Sequence, residues 1–335
     1  MLLGKKSNLR TCACILGIFL IYTWIAFYAV HVALPSPEQP LIFYSNQTRD
    51  DLKALFIRAL SASSESIDLQ MYGLTDPDLE KILVNKAALG LPVTVQYDPS
   101  ASFQIKERLP YPIRATPSTC KGLMHKKLVV TDKKNIFLGS ANFTPASLLL
   151  HDNLCIGIYH PEFATETLDP KQKKITFSIG KTTGELFLLP DFQNKAKESL
   201  LHLILSAKKS IHVAMFTLTH TELVHALIVK KNEGVEVICI LDFYTARGAS
   251  HKALEQLLDA KIPVRLSRGQ ELLHYKWAII DKRTLIMGSA NWTQSAFKRN
   301  EDYLLILSHL PKEHRKFLKN LWKIVKFETI EYNPK

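Results

Sequence analysis

At 335 residues and 47% hydrophobic, the chain is long and apolar enough to bury two cores, which excludes a small scaffold held together by staples. Its 43 Lys and Arg outnumber 31 Asp and Glu, for a formal charge of +12, so an anionic partner is expected; nucleic acid and acidic lipid satisfy that equally. The five cysteines show no CxxC or Cys/His metal spacing, and no disulfide framework follows from their count.

The first predicted element is an apolar span. From Thr11 to Leu34 there is no Lys, Arg, Asp or Glu, and the run exceeds the roughly 20 residues that cross a bilayer as a helix. Lys5, Lys6 and Arg10 precede it, and no Lys or Arg follows until Arg49. The positive-inside rule therefore leaves residues 1–10 in the cytoplasm and sends the remainder beyond 11–34 to the non-cytoplasmic side. The long apolar run without a clean small-x-small site reads as an uncleaved transmembrane signal anchor, with a cleaved signal peptide the competing reading. Sequons at Asn142 and Asn291 favour a bacterial envelope over a glycosylating compartment. Residues 35–40, with Pro35, Pro37 and Pro40, read as a stiff spacer.

Beyond the spacer the chain is written twice. SIDLQMYGLT at 66–75 aligns with SIHVAMFTLT at 210–219, and the strand-like runs ending at Asp98 and Asp242 share that offset of 144. Helical patterns, DLEKILVNKAAL and TELVHALIVKKN, lie between them. Strand, helix, strand, helix and hairpin in each copy predict an α/β fold of two fused units, 41–160 and 161–335, related by a pseudo-twofold axis. Asp98 and Asp242 read as strand-end caps and stay outside the predicted site. The basic tail places Phe317, Leu321 and Ile324 at helical spacing, as a last helix packing onto its domain would; a helix lying on anionic membrane is the alternative.

The strongest repetition comes later in each copy. HKKLVVTDKKNIFLGSANFT begins at His125 and HYKWAIIDKRTLIMGSANWT at His274, with nine of twenty positions identical. The β-branched runs predict strands, and period-two alternation puts His125 and Lys127 on one face, as it does His274 and Lys276. The turns DKKN and DKRT reverse the chain, and the glycines of GSAN would allow close backbone approach to a ligand. Ser140, Asn142, Ser289 and Asn291 offer donors to phosphate oxygens. Two His, two Lys and two Asn around one volume form an anion site. Phosphodiester cleavage needs a nucleophile, a proton for the leaving oxygen and positive charge on the phosphoryl oxygens. Two histidines can divide the first two tasks, and Lys127 and Lys276 supply the third, with no requirement for a metal or a cofactor.

These paired blocks resemble the phospholipase D superfamily and its HKD motif, a likeness covering essentially all of 41–335. The resemblance implies metal-independent phosphodiester chemistry through a phosphohistidine, with His125 as nucleophile and His274 as acid. It implies an acidic residue shortly after GSxN to fix each histidine's tautomer; the matching positions are Asp152 and Glu301. Asp132 and Asp281 complete the motif and enter the catalytic set with it. Yet about seven residues of extended chain, or more than roughly 20 Å, separate them from the histidines, which assigns them to the turns. The expected function is a membrane-anchored phospholipase D-type phosphodiesterase acting on phospholipid headgroups, monomeric with a pseudo-dimeric site. A cardiolipin synthase-like phosphatidyltransferase and a membrane-anchored endonuclease are the alternatives, with nucleic acid the less expected partner. Intact motifs argue against a catalytically dead scaffold.

Overall fold

The computed structural model describes residues 32–332. Residues 1–10 and the predicted anchor, save its last few residues, lie outside them; among the described residues no helix is long and apolar enough to cross a membrane. The Pro-rich segment touches the first sheet at both ends. Pro35 is buried, its ring 3.2 Å from where a Cβ on Gly157 would stand, and the Pro40 carbonyl accepts the Tyr159 N–H at 2.9 Å. Proline rings are apolar and lack an N–H, so they can cover a sheet face without leaving a donor unpaired.

The first sheet contains β1 (Leu41–Tyr44), β2 (Ile67–Met71), β3 (Val93–Tyr97), β4 (Arg114–Pro117), β5 (Lys127–Thr131), β6 (Asn135–Gly139) and β7 (Cys155–Tyr159), in the spatial order β1-β7-β6-β5-β2-β3-β4. The second contains β8 (Lys174–Ile179), β9 (Thr182–Leu188), β10 (Ser210–Met215), β11 (Glu236–Leu241), β12 (Val264–Leu266), β13 (Lys276–Ile280), β14 (Thr284–Gly288), β15 (Tyr303–Ser308) and β16 (Ile330–Glu331). Its order is β16-β12-β11-β10-β13-β14-β15-β9-β8. The run β7-β6-β5-β2-β3-β4 is thus repeated as β15-β14-β13-β10-β11-β12, a mixed sheet in both copies. Register is equivalent too: Lys127 pairs with Met71 and Lys276 with Met215.

Crossover helices follow the predicted positions. Asp76 accepts the N–H groups of Asp78 and Leu79, Pro77 occupies the first turn, and Pro77–Ala88 buries Leu79, Leu83 and Ala87 on one face. Its counterpart spans Thr221–Asn232. The final helix, Lys312–Glu328, buries Leu318, Leu321, Trp322 and Val325. Trp322 stacks on His212 at 4.5 Å, and the lysines face outward, so the tail packs onto its domain.

One apolar cluster joins the two sheets: Leu128, Leu138 and Ile156 of the first meet Tyr275, Trp277, Met287 and Leu305 of the second. Continuous burial on that scale makes the two copies a single body, because separating them would expose a core rather than a polar interface. The Tyr303 hydroxyl adds a polar tie. It accepts the Gly139 N–H at 2.6 Å and stands 2.7 Å and 2.8 Å from the carbonyls of Gly139 and Lys127.

Candidate active site

Each histidine precedes its strand on a segment tied to the other copy. Asp98 accepts the Met124 N–H at 2.8 Å, and the Glu301 carbonyl accepts the His125 N–H at 2.7 Å. In the second copy Asp242 accepts the Leu273 N–H at 3.2 Å, and Asp152 donates its N–H to the Leu272 carbonyl at 3.0 Å. Asp98 and Asp242 therefore position the catalytic segments, a role beyond capping their own strands. Their shared offset of 144 was the signal.

The Lys127 ammonium lies 2.6 Å from the His125 carbonyl and 4.8 Å above the Tyr72 ring; Lys276 lies 2.8 Å from the His274 carbonyl and 4.6 Å above Phe216. Each imidazole meets the same ring, Tyr72 or Phe216, edge to face at 5.1 Å. These aromatic walls restrict where the two cations can stand. Tyr72 and Phe216 occupy matching repeat positions that sequence reasoning did not single out.

The orienting groups sit one residue beyond those expected. His125 Nδ1 is 2.8 Å from Asp302 Oδ1, and His274 Nδ1 is 3.2 Å from Asn153 Oδ1. Glu301 instead accepts from Ser118 at 3.1 Å, and Asp152 from the Gln47 amide. Neighbouring residues entering a strand point to opposite sides, so 152 and 301 turn away where 153 and 302 turn inward. Ser140 and Ser289 also differ from expectation. Buried, they donate to Asn153 at 2.7 Å and to Asp302 at 2.7 Å, which commits their hydroxyls to the orienting groups instead of to phosphate. Because the Asn153 amide donates to the Ser147 carbonyl at 2.8 Å, its oxygen must face His274. The hydrogen-bond network thus assigns the proton to His274 Nδ1 and leaves Nε2 bare.

Asp132 and Asp281, included with the motif, stand at the far end of β5 and β13. Asp132 accepts the N–H groups of Ser64, Glu65 and Ser66 at 2.7–3.2 Å, and Asp281 those of Lys208, Lys209 and Ser210 at 2.7–3.0 Å. They fasten the turn that enters β2 or β10. The motif glycines likewise serve the sheet: a Cβ on Gly139 would stand 2.5 Å from the Leu154 carbonyl oxygen, and one on Gly288 2.3 Å from that of Tyr303. The close approach is to the neighbouring strand. Asn142 and Asn291 each keep a buried Oδ1 that has no partner; the donor either could offer a phosphate oxygen is its side-chain N–H.

Electrostatics bring the two copies into one volume. Burial pushes His274 well below its ordinary pKa, and Lys276, Lys127, His125 and His151 push it further. Burial also lowers His125, assisted by Lys127 and opposed by Asp302. Lys127 falls to about 7, again through burial, with Asp302 and Asp98 opposing; Lys276 is driven well down by burial and by Lys127. Burial would raise Asp302, but His125, Lys127 and the hydrogen bonds from His125 and Ser289 outweigh it and hold the carboxyl below its ordinary value. Cationic groups held so far below their ordinary pKa bind protons when an anion arrives. Sulfate, a dianion at and around neutral pH, is accordingly expected to bind with proton uptake. The sign is fixed: Lys127 is charged below about 7 and neutral above, so affinity falls as pH rises through that value, by at most about tenfold per pH unit per proton taken up. Calorimetry in two buffers of different ionisation enthalpy measures it, and pH-independent binding without uptake would contradict this electrostatic picture.

Known proteins match both copies of the repeat. A family model described as "Cardiolipin synthase, PLD-like domain" matches residues 56–169 and 200–324. A mitochondrial cardiolipin hydrolase from Xenopus laevis is 28% identical over 177 residues, covering 49% of this chain and 80% of that protein. The human protein of the same name is 36% identical over 146 residues, covering 41% and 57% respectively. A phospholipase D from Rickettsia bellii is 32% identical over 102 residues, covering 30% of this chain and half of that one. Among solved structures, phosphatidylserine synthase from Haemophilus influenzae superposes with a TM-score of 0.69 over 89% of both chains at 15% identity, a likeness of fold.

Proposed function

Since the chain belongs to the phospholipase D superfamily and carries two PLD-like units, we propose that this phosphodiesterase cleaves phospholipid headgroups through a phosphohistidine formed on His125. The observation that carries the reading is the unequal support of the two imidazoles, Asp302 behind one and Asn153 behind the other.

With Asp302 holding Nδ1–H, the Nε2 of His125 presents its lone pair to phosphorus. As the N–P bond forms the ring becomes cationic, and the buried carboxylate stabilises that charge. His274, supported only by an amide, is the stronger acid once protonated, and the bound phosphate supplies the anion that lets it carry a proton. It gives that proton to the departing alcohol as the P–O bond breaks. Now neutral, it takes a proton from water; the hydroxide attacks phosphorus, the P–N bond breaks, and both rings return to their starting states. Lys127, Lys276 and the amides of Asn142 and Asn291 balance the phosphoryl oxygens. The names of the curated relatives, cardiolipin hydrolase and phospholipase D, favour lipid over nucleic acid, and an apolar anchor at 11–34 would keep the site near lipid.

The test uses the full chain with phosphatidylcholine and phosphatidylglycerol vesicles and, separately, with single- and double-stranded DNA and RNA. Phosphatidic acid is expected, replaced by the phosphatidyl-alcohol when ethanol is added, because an alcohol can intercept the covalent intermediate. Cardiolipin as chief product would make the enzyme a phosphatidyltransferase. Cleavage of nucleic acid without lipid turnover would overturn the lipid reading.

A further inference from the structure

The rim of the site is chemically lopsided. After each hairpin comes a short helix, Pro145–Leu149 or Gln294–Lys298, and the chain runs from it directly to the orienting residue, Asn153 or Asp302. The helix ends are equivalent by the repeat, 149 residues apart. Leu149 and Leu150 in the first copy are 54% and 52% exposed; the second copy has Lys298 and an exposed Arg299 in their place.

Three further apolar side chains stand at this end of the sheets, two on loops and one in the short helix Phe243–Arg247. Leu123, 39% exposed, lies two residues before His125 and is held through its N–H by Asn300 at 3.1 Å. Phe103, 68% exposed, follows Ser102, whose hydroxyl binds the Tyr72 carbonyl at 2.8 Å. Tyr244, 58% exposed, gives its N–H to Asp242 at 3.0 Å. Exposed Lys121 adds charge beside Leu123. Exposed apolar side chains gathered at one end mark an interaction surface. Their mixture with Lys and Arg suits a bilayer, where apolar groups enter the acyl boundary and cations meet phosphates. Glu271 and Glu328 are also exposed at this end and lie close enough to Asp152 to act on its carboxyl, so the cationic part of the rim is the edge formed by Lys121, Lys298 and Arg299, on a chain of net charge +12.

We propose that this rim docks on a bilayer containing anionic phospholipid, Leu149 and Leu150 entering the acyl boundary while Lys121, Lys298 and Arg299 meet headgroup phosphates. The proposal rests on the lipid reading above and adds that the catalytic end itself faces the membrane, whatever the N-terminal segment does. A headgroup then reaches His125 and His274 with little withdrawal of its chains from the bilayer.

Two measurements on the full chain separate this proposal from the lipid reading. The first compares wild type with Leu149→Ser/Leu150→Ser on long-chain vesicles of phosphatidylcholine and phosphatidylglycerol and on a short-chain phospholipid below its micelle threshold. Losing two half-buried leucines from the interface should lower vesicle turnover by about tenfold or more and leave monomer turnover within about twofold. Equal loss on both substrates, or none on vesicles, would overturn the proposal. The second replaces Leu150 by Trp and adds brominated phosphatidylglycerol, which should quench the new emission beyond wild type. This reads docking even if wild type turns over no lipid, the outcome that would sink only the parent reading; absence of added quenching sinks the docking. A wild-type dimer that the serine variant dissolves would assign the patch to a second copy instead.

Discussion

Replacing either His125 or His274 by alanine is expected to lower turnover by roughly 10⁴- to 10⁶-fold, and replacing both should cost no more than the worse single change. Each imidazole performs a step the other cannot: one forms the bond to phosphorus, the other moves the proton that makes departure possible. Losing either stops the cycle, so the effects cannot add. Both are buried among Lys127, Lys276 and Asp302, which limits the access of a rescuing water or buffer. Single-turnover rates on a monomeric phosphodiester give the comparison, with thermal unfolding as a check that the variants fold. A near wild-type rate for either variant would break the shared-site model.

Exchanging the two orienting groups should move the covalent intermediate. Asp302→Asn alone is expected to reduce turnover by about 10²- to 10⁴-fold, as other histidines lose activity when the carboxylate behind them becomes an amide. It also leaves His125 and Lys127 without their nearest buried counter-charge, a change worth about 3–5 kcal/mol when one partner of a buried pair is lost. Adding Asn153→Asp restores a carboxylate to the same volume, now behind His274. The double variant should recover stability, and mass spectrometry of base-quenched enzyme should find the covalent adduct on His274, where wild type carries it on His125. An adduct that stays on His125 would show that the carboxylate does not select the nucleophile.

Much of this was readable in advance. Apolar runs with β-branched residues marked the strands, and the duplicated spacing of His125, Lys127, His274 and Lys276 placed four cationic groups in one site, because both period and offset are properties of the chain itself. What escaped was decided by the direction of single side chains. Asp302 and Asn153 are one step from Glu301 and Asp152, and in an extended segment one step reverses the face. Ser140 and Ser289 kept their motif positions but turned their hydroxyls toward the orienting groups, a choice spacing does not encode. Asp132 and Asp281 lay where strand length had put them, at the turns, despite their place in the motif. That Pro35 and Pro40 touch the first sheet was not legible either, because a sequence rich in proline fits a stiff spacer and a packed edge equally well.

Two identical subunits meeting across a twofold axis would have to share every change, since one gene position is written into both halves of the site. Covalent fusion of the copies removes that constraint. Position 153 can be an amide while position 302 is a carboxylate, and the rim can be leucine on one side and basic on the other. The fused chain thereby has a direction: its two sides can meet the two unlike ends of an asymmetric substrate. The Tyr303 hydroxyl that ties β15 to β6 and β5 keeps the two unequal halves in register, so their divergence does not cost them their common site.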